Sequence, residues 1–264
     1  MTIYVPGKVK LRQTWQPMDP DAAAYITAVE AADELPLEEK VKIAIDNFVL
    51  GCKADGIWSA IKASCILSGA RTTNGALVPL VGTAPTPFNF DLIGNTDYNR
   101  KTGLKGDGST KYLDSSRTSN ADPQNSFHMF VRVTTADSSG SFYGFIGQGT
   151  NTTGASHITQ SSVRNRAAAS TSIPSSSNVG TVATNRASAA GFDYRHGGVV
   201  GSVLVSSELP SADKHYVFGR NVSAALNSPT NARLSFYSIG ESLDLALLDA
   251  RVTDLITAFG VAIP

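Results

Sequence analysis

The reading of the fold turns on KHYVFGRN (Lys214–Asn221), ARLSFYSIG (Ala232–Gly240) and SLDLALLDARVTDLITAF (Ser242–Phe259). In the first run His215 and Val217 fall on one side, and Tyr216 and Phe218 on the other. A Ser/Asn-rich break, Ser223–Asn231, separates it from the second alternating run. Near Gly240 the apolar period changes from 2 to 3.6, which predicts a sheet ending in one packed helix. Leu243, Leu247, Leu248, Val252, Leu255 and Phe259 are the predicted sheet-covering face of that helix. No cluster of catalytic side chains lies in the stretch.

Working back, GVVGSVLVSS (Gly198–Ser207), SFYGFIGQG (Ser141–Gly149) and SFHMFVRVTT (Ser126–Thr135) are further alternating runs, and Gly106-Asp107-Gly108 is a strong turn. Between Thr150 and Arg195 the chain is rich in Ser, Thr, Asn, Ala and Gly. Ile158, Val163, Val179, Val182 and Phe192 still recur at strand intervals. Short strands with regular turn signals predict an antiparallel β-sandwich.

The N-terminal third reads differently. Asp19 as cap and Pro20 at the first position predict a helix with Tyr25, Ile26 and Val29 inside. A second starts at Pro36, with Val41, Ala44, Ile45, Phe48 and Val49 as its apolar stripe. A third is predicted over GIWSAIKASCILSG (Gly56–Gly69), capped by Asp55, with Gly69 just past its end. The expected division is therefore an extended arm over 1–18, a helical region over 19–70, and a sandwich with its final helix over 71–264. The arm, with Tyr4, Lys8, Lys10, Arg12 and Trp15, is read either as a strand on its own domain or as an assembly arm docking on another subunit.

Composition narrows the function. Charged residues are 17% and the formal net charge is +0, against roughly 25% charged in an average domain, so no nucleic-acid surface or acidic tail is expected. No apolar run approaches the ~20 residues of a membrane span. The first residues lack the apolar segment of a secretory signal. Cys52 and Cys65 are read as two reduced core thiols, with pairing left open. Each of His128, His157, His196 and His215 lies on or beside a strand and is read as a surface or edge residue, without metal-ligand spacing. Asp97, Asp107 and Asp114 are candidates to meet around calcium, though Asp107 reads first as a turn residue. No catalytic carboxylate pair stands out, so the expectation is no enzyme, no metal and no cofactor. Arg164, Arg166, Arg186 and Arg195 make one segment basic and suggest an interface to an acidic neighbour. For carbohydrate, which needs aromatics beside planar polar groups, the candidates are Tyr143, Tyr194, His196 and Tyr216.

Three motifs in order carry a family resemblance. YVFGRN followed by RLSFYSIGESLDLALLDARVTDLITAFG, with Gly219, Arg220, Asn221, Phe236, Ser238, Ile239, Gly240 and Leu243 in place, resembles the end of the concanavalin A/laminin-G-like domains of tailed-bacteriophage structural proteins. KADGIWSAIKASCIL, with Lys53, Gly56, Ile57 and Trp58, resembles their helical preface. TGLKGDGSTKYLDS, with Gly103, Gly106, Gly108, Ser109, Thr110 and Tyr112, resembles their first sandwich strands. The resemblance covers about residues 40 to 260 and lacks the calcium-binding carboxylates of some relatives. It implies a laminin-G/concanavalin A-like jelly-roll sandwich and a non-enzymatic virion protein. The expected role is a tail fibre or receptor-binding module touching host-surface glycan. The alternative is a head decoration or fibre-anchoring protein. By resemblance the partners are copies of itself, as a homotrimer, and other virion proteins.

Overall fold

The computed structural model describes residues 15–150, 153–167, 171–173 and 178–264. Helices are α1 (Pro20–Asp33), α2 (Glu39–Ala54), α3 (Thr73–Ala76) and α4 (Leu245–Ala262). The first nine strands are β1 (Ile61–Ile66), β2 (Pro79–Val81), β3 (Thr86–Phe88), β4 (Tyr98–Asn99), β5 (Gly103–Lys105), β6 (Tyr112–Thr118), β7 (Phe127–Thr135), β8 (Gly144–Gln148) and β9 (Ser156–Thr159). The rest are β10 (Ser162–Asn165), β11 (Thr171–Ser172), β12 (Gly180–Arg186), β13 (Gly191–His196), β14 (Val199–Leu204), β15 (Lys214–Val217), β16 (Arg220–Val222), β17 (Ala225–Asn227) and β18 (Arg233–Gly240).

They form two sheets packed face to face. The first runs β14-β13-β12-β7-β18-β1-β2, with β5 and β4 attached beside β18. The second runs β11-β10-β9-β8-β15-β6-β3, with β16 and β17 attached at β8. Pairing is antiparallel apart from one parallel bridge, Asn221 opposite Gln148. Met129, Val131 and Val133 of β7 and Tyr237 and Ile239 of β18 meet Leu113, Ile146, Ile158 and Val217 of the second sheet between the layers. The alternate residues of the same strands, Phe130 and Phe236, point out of the sandwich and are buried by α1, α2 and α4. Phe236 holds both Phe48 of α2 (centroids 5.7 Å) and Phe130 (5.9 Å) edge-on. The first sheet is thus apolar on both faces, and the molecule has three layers: helices, sheet, sheet.

The two N-terminal helices form where expected. Asp19 accepts from the amides of Asp21 and Ala22, and Pro20 occupies the first turn. The third helix does not form. Trp58–Ala60 makes one 3₁₀ turn and IKASCI becomes β1, paired with β18 on one side and β2 on the other. A short apolar run is ambiguous by period alone. Here Asp55 starts no helix; it ends α2, and its carboxylate receives Arg251 of α4 at 2.7 and 2.9 Å. The sandwich therefore begins at Ile61, not after residue 70. Gly69 ends no helix. Its φ of +84° and the Phe259 ring, 2.6 Å from where a Cβ would sit, make it a close-approach glycine.

In α4 the buried side is Leu248, Val252, Leu255 and Phe259, with Leu243 just ahead of the cap Asp244. Leu247 is 37% exposed, because it lies one residue, about 100°, away from Leu248 around the helix. Leu245 takes the buried position instead. Cys52 and Cys65 are free and buried. Burial pushes both thiols up to about 12.

Candidate functional site

The basic segment turns inward. Arg164, Arg166 and Arg186 are 2% exposed or less, so they do not present an interface. Arg186 donates to the carbonyls of Asn165, Ser188, Ala189, Gly191 and Val205 and lies over the Phe192 ring. Arg166 donates to the carbonyls of Ser119 and Pro123 over the face of Phe127. A segment of Ser, Ala and Gly has little side-chain volume to fill the space beneath its loops. Long guanidinium stems fill it and satisfy loop carbonyls at the same time. Arg195 alone of the four remains near the surface, sharing Asp249 of α4 with Arg132.

The histidines are likewise interior. His128 is held between the carbonyl of Glu241 (2.6 Å) and the hydroxyl of Ser238 (2.7 Å). His196 meets the carbonyl of Thr159 at 2.8 Å, and His215 stacks on Phe127. Burial lowers His128 to about 4 and His157 and His215 to about 3, the last two with help from nearby arginines. They are neutral near pH 7 and out of reach of any substrate. Their reading as surface or edge residues is wrong: all four are 2% exposed or less.

The three aspartates do not converge on a cation. Asp97 takes Lys111, and Asp114 takes Lys214 and the amide of Ser116. Asp107 closes its own turn. Burial works against its ionisation, but the amides of Lys111, Ser109 and Thr110 overcome it and bring it to about 2. Among the described residues no group of three or more potential ligands is placed to hold a metal.

A row of aromatic rings runs across the outer face of the second sheet, with its exposed end at the sheet edge. β3, β6 and β15 lie side by side, with Phe88 opposite Tyr112 and Asp114 opposite both Thr86 and Tyr216. Leu113 and Val217 point into the inter-sheet core, so Tyr112, Asp114 and Tyr216 point away from it. Phe88 and Tyr112 are stacked, with centroids 4.3 Å apart and planes 2° apart; Tyr112 continues onto Tyr216 at 4.6 Å. Phe88, on the edge strand, is 38% exposed, whereas Tyr216 is 6% exposed and donates to the carbonyl of Ala224. Beside the rings, Lys214 reaches Asp114 at 3.0 Å with 46% of its side chain exposed. Asn89, exposed at the end of β3, has a φ of +60° that turns Phe90 back into the core against Phe218.

Of the four carbohydrate candidates, only Tyr216 belongs to this row. Tyr143 is buried, its hydroxyl bonded to Asn178, and His196 is fully buried. Tyr194 is half-buried, its ring lying over Gly201 on the core side of β13. Tyr4, Lys8, Lys10 and Arg12 lie outside the described residues, and Trp15 packs against the helical core. Phe88 and Tyr112 were missed, since only strand register brings them together. A separate recess of about 480 Å³ between α1 and β1-β2 is lined by Trp58, Asp21 and Lys62, but Lys53 lies over the Trp58 ring. The described helices are not long and apolar enough to cross a membrane.

No family model matches the chain, and no curated protein matches it. Solved structures align with it at low identity. The binding domain of botulinum neurotoxin serotype D aligns at 12% identity over 74% of this chain and 51% of that one, TM-score 0.46. NanB sialidase from Streptococcus pneumoniae aligns at 15% over 55% of this chain and 26% of that one, TM-score 0.43. Domain 4 of AbnA, an extracellular arabinanase from Geobacillus stearothermophilus, solved with arabinotriose, aligns at 15% over 74% of this chain and 98% of that one, TM-score 0.37. The chain thus spans about a quarter of the sialidase and half of the toxin fragment.

Proposed function

We propose that this chain is a non-catalytic carbohydrate-binding protein and that its site is the Phe88–Tyr112–Tyr216 row with Asp114, Lys214 and Asn89. The observation that carries the reading is the stacked row itself, on a sheet face the helices do not cover. A sugar ring offers a flat patch of C–H groups rimmed by hydroxyls. An aromatic face desolvates the patch, and an adjacent carboxylate, ammonium and amide meet the hydroxyls. Tyr216 and Tyr112 brace Phe88 from one side, so its face at the sheet edge is presented in a fixed orientation at little entropic cost. The setting we propose is the particle of a tailed phage, on the strength of the sequence motifs from Lys53 to Phe259.

The test is a glycan array with the intact chain, followed by calorimetry on the best ligand. Phe88→Ala and Tyr112→Ala should each weaken binding about tenfold, the equivalent of a ring contact of about 1–1.5 kcal/mol. Trp58→Ala should leave it unchanged. No binding on the array, or binding lost in Trp58→Ala and kept in the other two, removes the proposed site. Electron microscopy of particles tests the setting, and absence from the particle refutes it.

A further inference from the structure

Sheet edges are templates for pairing, and proteins blunt them with proline, charge, bulges or brevity. Here β2 and β3 are three residues long and contain Pro79 and Pro87, and β4 and β11 have two residues each. β14 is different. It is six residues, VVGSVL, in unbroken register with β13 from Val199 to Leu204. It has no charge and no proline, and its outward side chains include Val200 and Leu204, 62% and 91% exposed.

We propose that β14 pairs antiparallel with β14 of a second copy, about a two-fold axis at Ser202, joining the first sheets of both molecules. The sequence of the strand selects this partner and this register. Residues opposite each other in an antiparallel pair share a face. A two-fold at Ser202 sets Val200 of each copy against Leu204 of the other, covering the two exposed apolar side chains twice over. On the other face Val203 meets Gly201, where there is no side chain and the Tyr194 ring already lies above the backbone. A shift of one residue would set outward side chains against inward ones. Six residues make an edge about 20 Å long. That covers less than the ~800 Å² per partner of a standard interface, so the dimer is weak and concentration-dependent.

The test uses the full chain. Sedimentation at millimolar concentration should show a monomer–dimer equilibrium, and Val200→Lys with Leu204→Lys should abolish it at an unchanged melting temperature. Ser202→Cys should form a disulfide-linked dimer under mild oxidation, because opposed Cα atoms in an antiparallel pair, about 4.5 or 5.5 Å apart, lie within disulfide reach. The native thiols are buried and give no background. Val200→Cys, which faces Leu204, should not cross-link. A monomer at all concentrations overturns the proposal, including one that captures an extended peptide instead. So does a trimer, or equal cross-linking by the two cysteine variants.

Discussion

Arg186→Met separates an architectural arginine from an interface one. Methionine keeps most of the stem over Phe192 and removes the guanidinium. Five carbonyls, at 3.0 to 3.4 Å, then lose the guanidinium, though that of Ala189 keeps the amide of Ser207. Hydrogen bonds from a charged donor contribute about 1.5–3 kcal/mol each, which for the four shorter contacts sums to at least about 6 kcal/mol. Against this, the buried cation is no longer held out of water, which returns several kcal/mol. The carbonyls left dry are the dominant remaining cost, and the expected net destabilisation is about 3–5 kcal/mol. In a chain of this size that lowers the melting temperature by on the order of 10 °C. Arg195→Met is the control: its partner Asp249 keeps Arg132 and Thr181, and both arginine and aspartate are partly exposed, so it should cost under about 1 kcal/mol. Urea unfolding of the three proteins measures the difference. If Arg186→Met unfolds within about 1 kcal/mol of wild type, the guanidinium does not hold the loops, and the inward reading of the basic segment fails.

Two further perturbations test the layers. Leu248→Asp buries a carboxylate among α2, α4 and the first sheet and should cost roughly 3–5 kcal/mol or more, whereas Leu247→Asp, on the exposed side of α4, should stay within about 0.5 kcal/mol; equal effects in thermal melts would mean α4 docks by another face. For pH, the histidines lowered to about 4, 3 and 3 bind protons more weakly folded than unfolded, where the value is about 6.5. Their stabilisation is full above pH 6.5 and is lost as pH falls toward 4, by at most about 1.4 kcal/mol per pH unit for each. His215→Phe keeps the ring on Phe127 and should flatten the urea-midpoint profile between pH 6.5 and 4.5; an identical slope would show that His215 is not the dry neutral group described.

The fold was legible where one segment's pattern decided it. The period change at Gly240 located β18 and α4, and the Asp19-Pro20 pair located α1. It was not legible at β1, where Ile57, Ile61 and Cys65 satisfy a helical stripe and the competing strand is selected by pairing with β2 and with β18, the latter 170 or more residues away. Nor was it legible in the segment rich in Ser and Ala. Arginine on a small-residue strand has the same appearance whether it faces water or a ring of loop carbonyls. The choice depends on loop carbonyls such as Pro123 and Val205, which no local period reports.

The candidate site shows the same division more sharply. Tyr216 could be chosen from its own strand, because alternation sets it opposite to Val217. Phe88 and Tyr112 could not. Phe88 sits among three prolines in a stretch without periodicity, and the two residues that share its parity, Thr86 and Phe90, go to opposite environments because Asn89 adopts a left-handed conformation between them. A parity argument run through TPFNF would place Phe88 and Phe90 together. The chain instead buries one and exposes the other. The ring left outside stacks on Tyr112. The backbone turn at Asn89 thus leaves Phe88 at the sheet edge while it buries Phe90, and the stack of Phe88 on Tyr112 is the geometry on which the proposed site rests.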